Sequence, residues 1–376
     1  MGPVSRAQIA RGTALSKPTV SEVLVGLERA GLVREAGRSS GGKGPAAILY
    51  ELNPKAGWVV GIDVGRAWVR AAIANLAGDI VARRDERART ASQRTMITQI
   101  GEIAHSLARE AGISWRKVTF ATLGSPGVFD PSSGQMTLAH SLPGWGRRGL
   151  VDAVQHELGT RVVVENDVNL AALGEQWYGL GKDVPNFVFL QIGTGVGAGV
   201  VVNGELLRGA TGAAGEVGYL PVVGDPHDAT YRRRGALDTV AGAAGVVEKA
   251  RRVGMAPPLS AKRVFALARK GDTTALRVVK LEAERIALAV TSIAAVVDPE
   301  LIVLGGGIGR NGDLLLDAVE RDVRALSPFA PRIEVSALGD EAEVLGAVWM
   351  ALQSAREALF ARGHLTASGG RGGIPR

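Results

Sequence analysis

The feature that most restricts the fold is a repeat. Val59-Val-Gly-Ile-Asp63-Val-Gly65 reads as an apolar strand running into a glycine, followed by a strand at Trp68 to Asn75 and a turn at Ala77-Gly78-Asp79. Phe187-Val-Phe-Leu-Gln-Ile-Gly193-Thr-Gly195 repeats that layout, followed by Ala198 to Val202 and an Asn203-Gly204 hairpin turn. Gly65 and Gly193 stand 128 residues apart. That domain-sized spacing predicts a duplicated α/β domain whose two glycine loops face one cleft, a layout suited to a phosphate chain. Helices are expected at about 94–111, 147–159, 168–178, 239–252, 260–269, 272–296, 312–326 and 342–361.

With 46% hydrophobic and 22% charged residues, the 376-residue chain has enough apolar surface for a core and is not disordered as a whole. It has no cysteine, which excludes disulfides, thiolate zinc sites, iron–sulfur clusters and cysteine nucleophiles, and fits a reducing cytoplasm. The apolar stretch Ile286 to Val297 falls short of the ~20 residues that span a bilayer, so no membrane partner is expected. The first ten residues lack a secretory apolar segment. Residues 1–60 carry 8 Lys and Arg against 4 Asp and Glu, whereas residues 61–350 carry 32 of each. Any polyanion partner should therefore meet the basic N-terminus, although such an excess is also ordinary surface variation.

That N-terminus has its own pattern. Residues 5–15 read as a short helix, and a second helix starts behind Ser16, a good N-cap, with Pro18 in its first turn. It ends before Gly31. Val20, Leu24 and Leu27 form its buried stripe, which leaves Lys17, Thr19 and Ser21 to face outward. Leu32-Val33, the basic segment Arg38-Ser-Ser-Gly-Gly-Lys43-Gly-Pro45 and the alternating run Ala47 to Leu52 read as a β-hairpin wing. The pattern fits a DNA-binding winged helix-turn-helix; taken alone it also fits two amphipathic helices docked on the body.

Three stretches invite chemistry, each with a plainer reading. Gly193-Thr-Gly195-Val-Gly197-Ala-Gly199 lets backbone N–H groups approach a phosphate, or is a tight turn between close strands. Leu304-Gly305-Gly306-Gly307-Ile-Gly309 suits an adenosine or phosphate group, or is a flexible connection. Glu165-Asn166-Asp167 ends a strand where ligands meet α/β sheets: Asp167 as general base with Asn166 on a neighbouring hydroxyl, or Asp167 as a helix cap. The five histidines, His105, His140, His156, His227 and His364, show no metal-ligand spacing, and Asp225-Pro-His227-Asp228 reads as a solvated loop.

In order, Ser5-Arg-Ala-Gln-Ile-Ala, Leu15-Ser-Lys-Pro-Thr-Val-Ser21, Gly31-Leu-Val, Gly61-Ile-Asp63-Val-Gly65, Gly124-Ser-Pro-Gly127, Leu142-Pro-Gly-Trp145, Glu165-Asn-Asp167, Gly193-Thr-Gly-Val-Gly197, Gly215-Glu216-Val-Gly218 and Leu304-Gly-Gly-Gly307 resemble the ROK family of repressors, open reading frames and sugar kinases. The match runs from about Ser5 to Leu359. It implies an actin/hexokinase-like (ribonuclease H-like) fold of duplicated α/β domains, preceded by the winged helix-turn-helix that the family's repressors carry. The implied domains are residues 1–54 for the winged module, 57–166 plus about 342–361 for the first lobe, 167–341 for the second, and a disordered tail at 362–376. The resemblance assigns sugar binding to Gly127, Asn166, Asp167, Glu216 and Asp238, with Asp167 the catalytic base in kinase members. It leaves Asp63, Gly65, Gly193, Thr194, Gly195, Gly305 and Gly306 as remnants of a nucleotide site.

Departures from the family decide the rest. Its kinases read Asp-x-Gly-Gly-Thr in the first phosphate loop, whereas Arg66 and Ala67 follow Gly65 here; misplacement by about 1 Å costs phosphoryl transfer ~100-fold, so kinase activity is expected to be lost. The family's zinc histidine is Tyr219, and the segment Ala229 to Ala236 supplies no thiolate, so no metal and no cofactor are expected. A three-helix winged module needs a helix before Ser5; without it Leu24 and Leu27 should expose part of their apolar faces. The resulting expectation is a cytoplasmic, sugar-responsive transcriptional regulator, a repressor of carbohydrate metabolism genes. It would be a homodimer holding double-stranded operator DNA through Lys17, Thr19, Ser21, Arg38 and Lys43 and taking a small sugar or sugar phosphate as effector. The alternatives are an ATP-dependent sugar kinase with Asp167 as base, and a degenerate regulator that binds no sugar.

Overall fold

The computed structural model describes residues 2–39, 46–130, 133–139, 142–222 and 227–368, with side chains as far as Leu359. The N-terminal module comprises β1 (Val4–Ser5), α1 (Arg6–Thr13), α2 (Lys17–Arg29), β2 (Val33–Arg38) and β3 (Ile48–Leu52). Ser5 and Gln8 form a capping box at α1, and Ser16 caps α2 through the Thr19 N–H. The strands pair in the order β1-β3-β2, all antiparallel. Val20, Leu24 and Tyr50 make the module's core.

Of the two apolar residues expected to be partly exposed, Leu27 is and Leu24 is not. Leu24 is buried and Leu27 half-buried, whereas Leu15, Val23 and Val25 are exposed. The core ring of Tyr50, whose hydroxyl accepts from Arg6 at 2.5 Å, and the flanking Ile9, Val33 and Ile48 supply cover that the pattern of α2 does not reveal.

The body contains the duplication. The first lobe has β4 (Trp58–Val64), β5 (Trp68–Asn75), β6 (Ile80–Arg87), α3 (Gln93–Glu110), β7 (Val118–Ser125), β8 (Val128–Asp130), β9 (Gln135–Thr137), α4 (Leu150–Leu158) and β10 (Arg161–Asn166). Next come α5 (Asp167–Tyr178), β11 (Phe187–Ile192), β12 (Val196–Val202), β13 (Glu205–Leu206), α6 (Ala229–Arg234), α7 (Ala236–Ala241), α8 (Ala243–Arg252), α9 (Ala261–Arg269) and α10 (Thr273–Val297). The chain ends with β14 (Leu301–Gly305), α11 (Gly306–Gly309), α12 (Gly312–Leu326), β15 (Arg332–Val335) and α13 (Ala342–Ser368). Sheet order is β10-β7-β4-β5-β6 in the first lobe and β15-β14-β11-β12-β13 in the second. In both, the first three strands are parallel and the last two join them as antiparallel hairpins. This is the actin/hexokinase-like architecture. Asn203 and Gly204 both take positive φ, as a two-residue hairpin turn requires.

Two helices form the seam between the lobes. α5 lies on β12 of one sheet and α13 on β4 of the other, and they approach almost backbone to backbone. A Cβ on Gly346 would lie 1.8 Å from the Leu170 carbonyl, and one on Gly61 2.5 Å from the Val348 nitrogen. Gly346→Ala must therefore push α13 off α5; a loss of about 1–3 kcal/mol is expected from overpacking, measured by chemical denaturation.

Several helix boundaries differ from expectation. The helix expected at 239–252 is two, α7 and α8, broken at Gly242 so that the Ala243 N–H can donate to the Gly193 carbonyl at 2.9 Å. α4 starts at Leu150 behind Gly149, whose φ of 79° ends the preceding loop. The tail expected to be disordered from 362 is helical to Ser368; residues 369–376 lie outside the described residues. Among the described residues no helix is long and apolar enough to cross a membrane.

Candidate functional site

β10 and α5 meet at the cleft floor. Asn166, not Asp167, caps α5: its side-chain oxygen accepts from the Asn169 N–H at 3.0 Å. Its amide nitrogen donates to the Gly127 carbonyl at 2.8 Å, and Gly127, at φ 98°, has no room for a Cβ, which would meet the Thr137 carbonyl at 2.5 Å. Because Asn166 does the capping, the Asp167 carboxylate is not engaged as the cap and accepts from the Val168 N–H at 2.9 Å and from its own backbone N–H. Burial, then the charges of Asp63 and Glu216, push the Asp167 carboxyl up to about 7.

The other carboxylates of the cleft behave alike. Glu216 rides on a turn in which Gly215, at φ 89°, sits against the Ala198 carbonyl; burial and then Asp238 raise its pKa. Asp238, on α7, is raised by burial although it accepts from the Val196 N–H at 2.9 Å. Asp63, at the end of β4, is raised by burial against the lowering influence of Arg70, whose Nη1 lies 3.2 Å from it. Two further members have no role in the sequence reading: Glu165 is named there only within its motif, and Glu343 is not named at all. Glu165 is buried and binds Asn166, Asn169 and Arg208, which fixes the turn. Glu343, in the first turn of α13, has its pKa raised by burial and by Asp63.

Raised carboxyls mean that the native state holds protons the unfolded chain has released between about pH 4 and 8. Stability should therefore rise as pH falls through that window. Thermal unfolding is expected at a higher temperature at about pH 5.5 than at about pH 8, and Asp167→Asn should flatten the difference.

The glycine loops are tighter than a phosphate cradle needs. Gly305 and Gly306 are required by packing, since their Cβ atoms would meet the Phe189 ring at 2.1 Å and the Ile192 carbonyl at 2.5 Å. The turn at Gly193, Thr194 and Gly195 closes on itself through Gly193 N–H to Gly195 carbonyl at 2.9 Å, and Asp238 occupies the next amide. Gly65 closes its own hairpin onto the Trp68 carbonyl. Trp145 is in the core, donating to Ser125 at 2.6 Å. Where zinc thiolates would stand, α6 presents Arg232, Arg233 and Arg234, a donor set that does not fit the ion. Among the described residues no group of acidic or histidine side chains is arranged to hold a metal.

On the winged module, Lys17 and Thr19 are exposed at the start of α2, Ser21 is half-buried, and Arg38 is exposed at the end of β2; Lys43 lies outside the described residues. The Thr19 hydroxyl bonds Ser16 at 2.8 Å, so it also secures the helix start.

The ROK family pattern matches residues 59–354, which span both lobes. The chain belongs to the ROK family. Residues 1–37 match the IclR helix-turn-helix domain, which the ROK lobes follow here. The chain is 33% identical to a glucokinase of Halalkalibacterium halodurans, over 79% of this chain and 95% of that one. It is 28% identical to a putative xylose repressor of Caldicellulosiruptor sp., over 93% of this chain and 92% of that one. A solved ROK family transcriptional regulator, described as a homologue of the E. coli MLC protein, shares the fold with a TM-score of 0.79 at 22% identity, over 96% of this chain and 94% of that one.

Proposed function

We propose that this ROK protein is a sugar-responsive DNA-binding repressor. The observation that carries the reading is the extent of likeness: similarity to the xylose repressor covers 93% of the chain, whereas similarity to the glucokinase covers 79%. A kinase has no need of a winged module with Lys17, Thr19 and Arg38 exposed. The cleft supports it too, because Asp63 is already paired with Arg70 and the loop amide of Val196 with Asp238.

In this reading α2 enters the major groove with Lys17, Thr19 and Ser21 toward bases and phosphates, and the wing's Arg38 and Lys43 meet the backbone, in a homodimer on a near-palindromic site. A sugar binds through Gly127, Asn166, Asp167, Glu216 and Asp238. Asp167 opens α5, α5 packs along α13, and α13 also touches α2. Closing the cleft therefore has a packed route to the recognition helix, and it lowers DNA affinity if the closed state binds DNA less well.

The test is titration of a labelled DNA fragment from around the protein's own gene, at fixed salt with competitor DNA. Specific binding, weakened by Lys17→Ala, is expected. A kinase is the competing reading, favoured by the glucokinase relative and the retained Asp167. Turnover above background with ATP, Mg²⁺ and a hexose panel, with no DNA binding, would contradict the proposal.

A further inference from the structure

The outer side of α2 has an order of its own. Val20, Leu24 and Leu27 follow the i, i+4, i+7 spacing of one helix face, and they are buried, buried and half-buried. Pro18, Glu22, Val25 and Arg29 repeat that spacing two residues out of step, about 200° round the helix. This second stripe is the ridge opposite the core, and all four of its residues are exposed with both lobes in place.

The side chains beside the ridge are less free. The Thr19 hydroxyl is tied to Ser16 at 2.8 Å, and Ser21 is half-buried. Glu22, by contrast, has no ion pair and no side-chain hydrogen bond among the described residues. Its neighbours three and four positions away, Pro18, Thr19, Val25 and Gly26, supply no cation to it. Gly26 is a second departure. A Cβ there would meet nothing within 4 Å, so no contact inside the chain accounts for a glycine in mid-helix, where it costs stability relative to alanine. Its bare backbone leaves room for another molecule to come close beside Glu22.

Phosphates repel a lone carboxylate, so on a helix that enters the major groove its place is over the base edges. Cytosine offers its N4 amino donor there with no acceptor beside it on the same base. Adenine sets N7 next to its amino group, and guanine presents acceptors alone. Resting on the DNA-binding reading, we propose that Glu22 is the base-reading residue of α2 and that it selects a cytosine.

The test is selection of binding sites from a random duplex library by the full chain and by Glu22→Gln, at one fixed salt concentration. The unaltered chain should enrich a site with a required cytosine. Glu22→Gln should move that one position to adenine, which a carboxamide pairs through N6 and N7. On the site selected by the unaltered chain, Glu22→Ala should lose about tenfold or more in affinity. The same variant should bind competitor DNA at least as tightly as before, because a charge that repels phosphates has gone. Thermal melts confirm that both variants fold. Identical sites selected by the unaltered chain and Glu22→Gln, or specific and competitor binding strengthened alike in Glu22→Ala, overturn the inference and leave the DNA-binding reading standing. Failure of the unaltered chain to enrich any sequence overturns both.

Discussion

Asp167→Ala is expected to weaken sugar binding by about 10- to 100-fold, the worth of a hydrogen bond to a charged group, and to abolish the sugar response of DNA binding. DNA affinity in the absence of sugar should stay within about twofold, as expected for sites far apart. The structure separates the two effects. Asn166 rather than Asp167 caps α5, so the helix start survives the substitution. Asp167 accepts only from backbone N–H groups beside it, those of Val168 and of Asp167 itself, and burial raises its pKa, so its removal relieves an unfavourable charge instead of breaking a side-chain network. Anisotropy titrations of the variant with DNA, with and without sugar, check both halves. A sugar response equal to the parent's would remove Asp167 from the mechanism.

The largest effect on stability is expected at Lys249. Its ammonium meets Glu282 Oε2 at 2.7 Å and also donates to the Val240 carbonyl, tying α8 to the end of α7, the helix that carries Asp238. Glu282 is fully buried in α10, its Oε1 has no partner, and burial pushes its pKa up to about 7 even with Lys249 present. Lys249→Met leaves that carboxylate with only the charge of Arg285, which makes no ion pair with it, and a loss of about 3–5 kcal/mol is expected at pH 8 by chemical denaturation. The loss should shrink toward pH 5, where Glu282 is protonated in the native state and carries no charge to compensate. Replacing both residues, as Lys249→Met with Glu282→Leu, should recover most of the stability. A single-variant loss below about 1 kcal/mol would show that the pair is dispensable.

What was legible in the sequence is what local chemistry encodes. Ser16 with Pro18 marks a helix start, Asn203-Gly204 a two-residue hairpin, and the strand–glycine–strand unit a duplicated sheet, because each depends on residues a few positions apart. The Asn166–Asp167 pair was legible as a strand end opening a helix, but the cap read there, Asp167, is Asn166 in the structure, since either side chain can cap. What escaped were pairings across the fold. Arg70 reaches Asp340 from the far end of the chain, Tyr50 closes a core begun by Val20 and Leu24, and Glu343 comes to Asp63 only because Gly61 admits α13. The break at Gly242 belongs with these, since it exists to bring Ala243 to Gly193. No periodicity carries such information.

The central claim is that sugar in the cleft and DNA on α2 are linked, and linkage is reciprocal. The most direct measurement is the affinity of the effective sugar for the protein, free and saturated with its DNA fragment, beside the affinity for DNA with and without that sugar. The two ratios are expected to agree, at about 5- to 150-fold. A sugar affinity indifferent to bound DNA, with DNA affinity indifferent to sugar, would contradict the account.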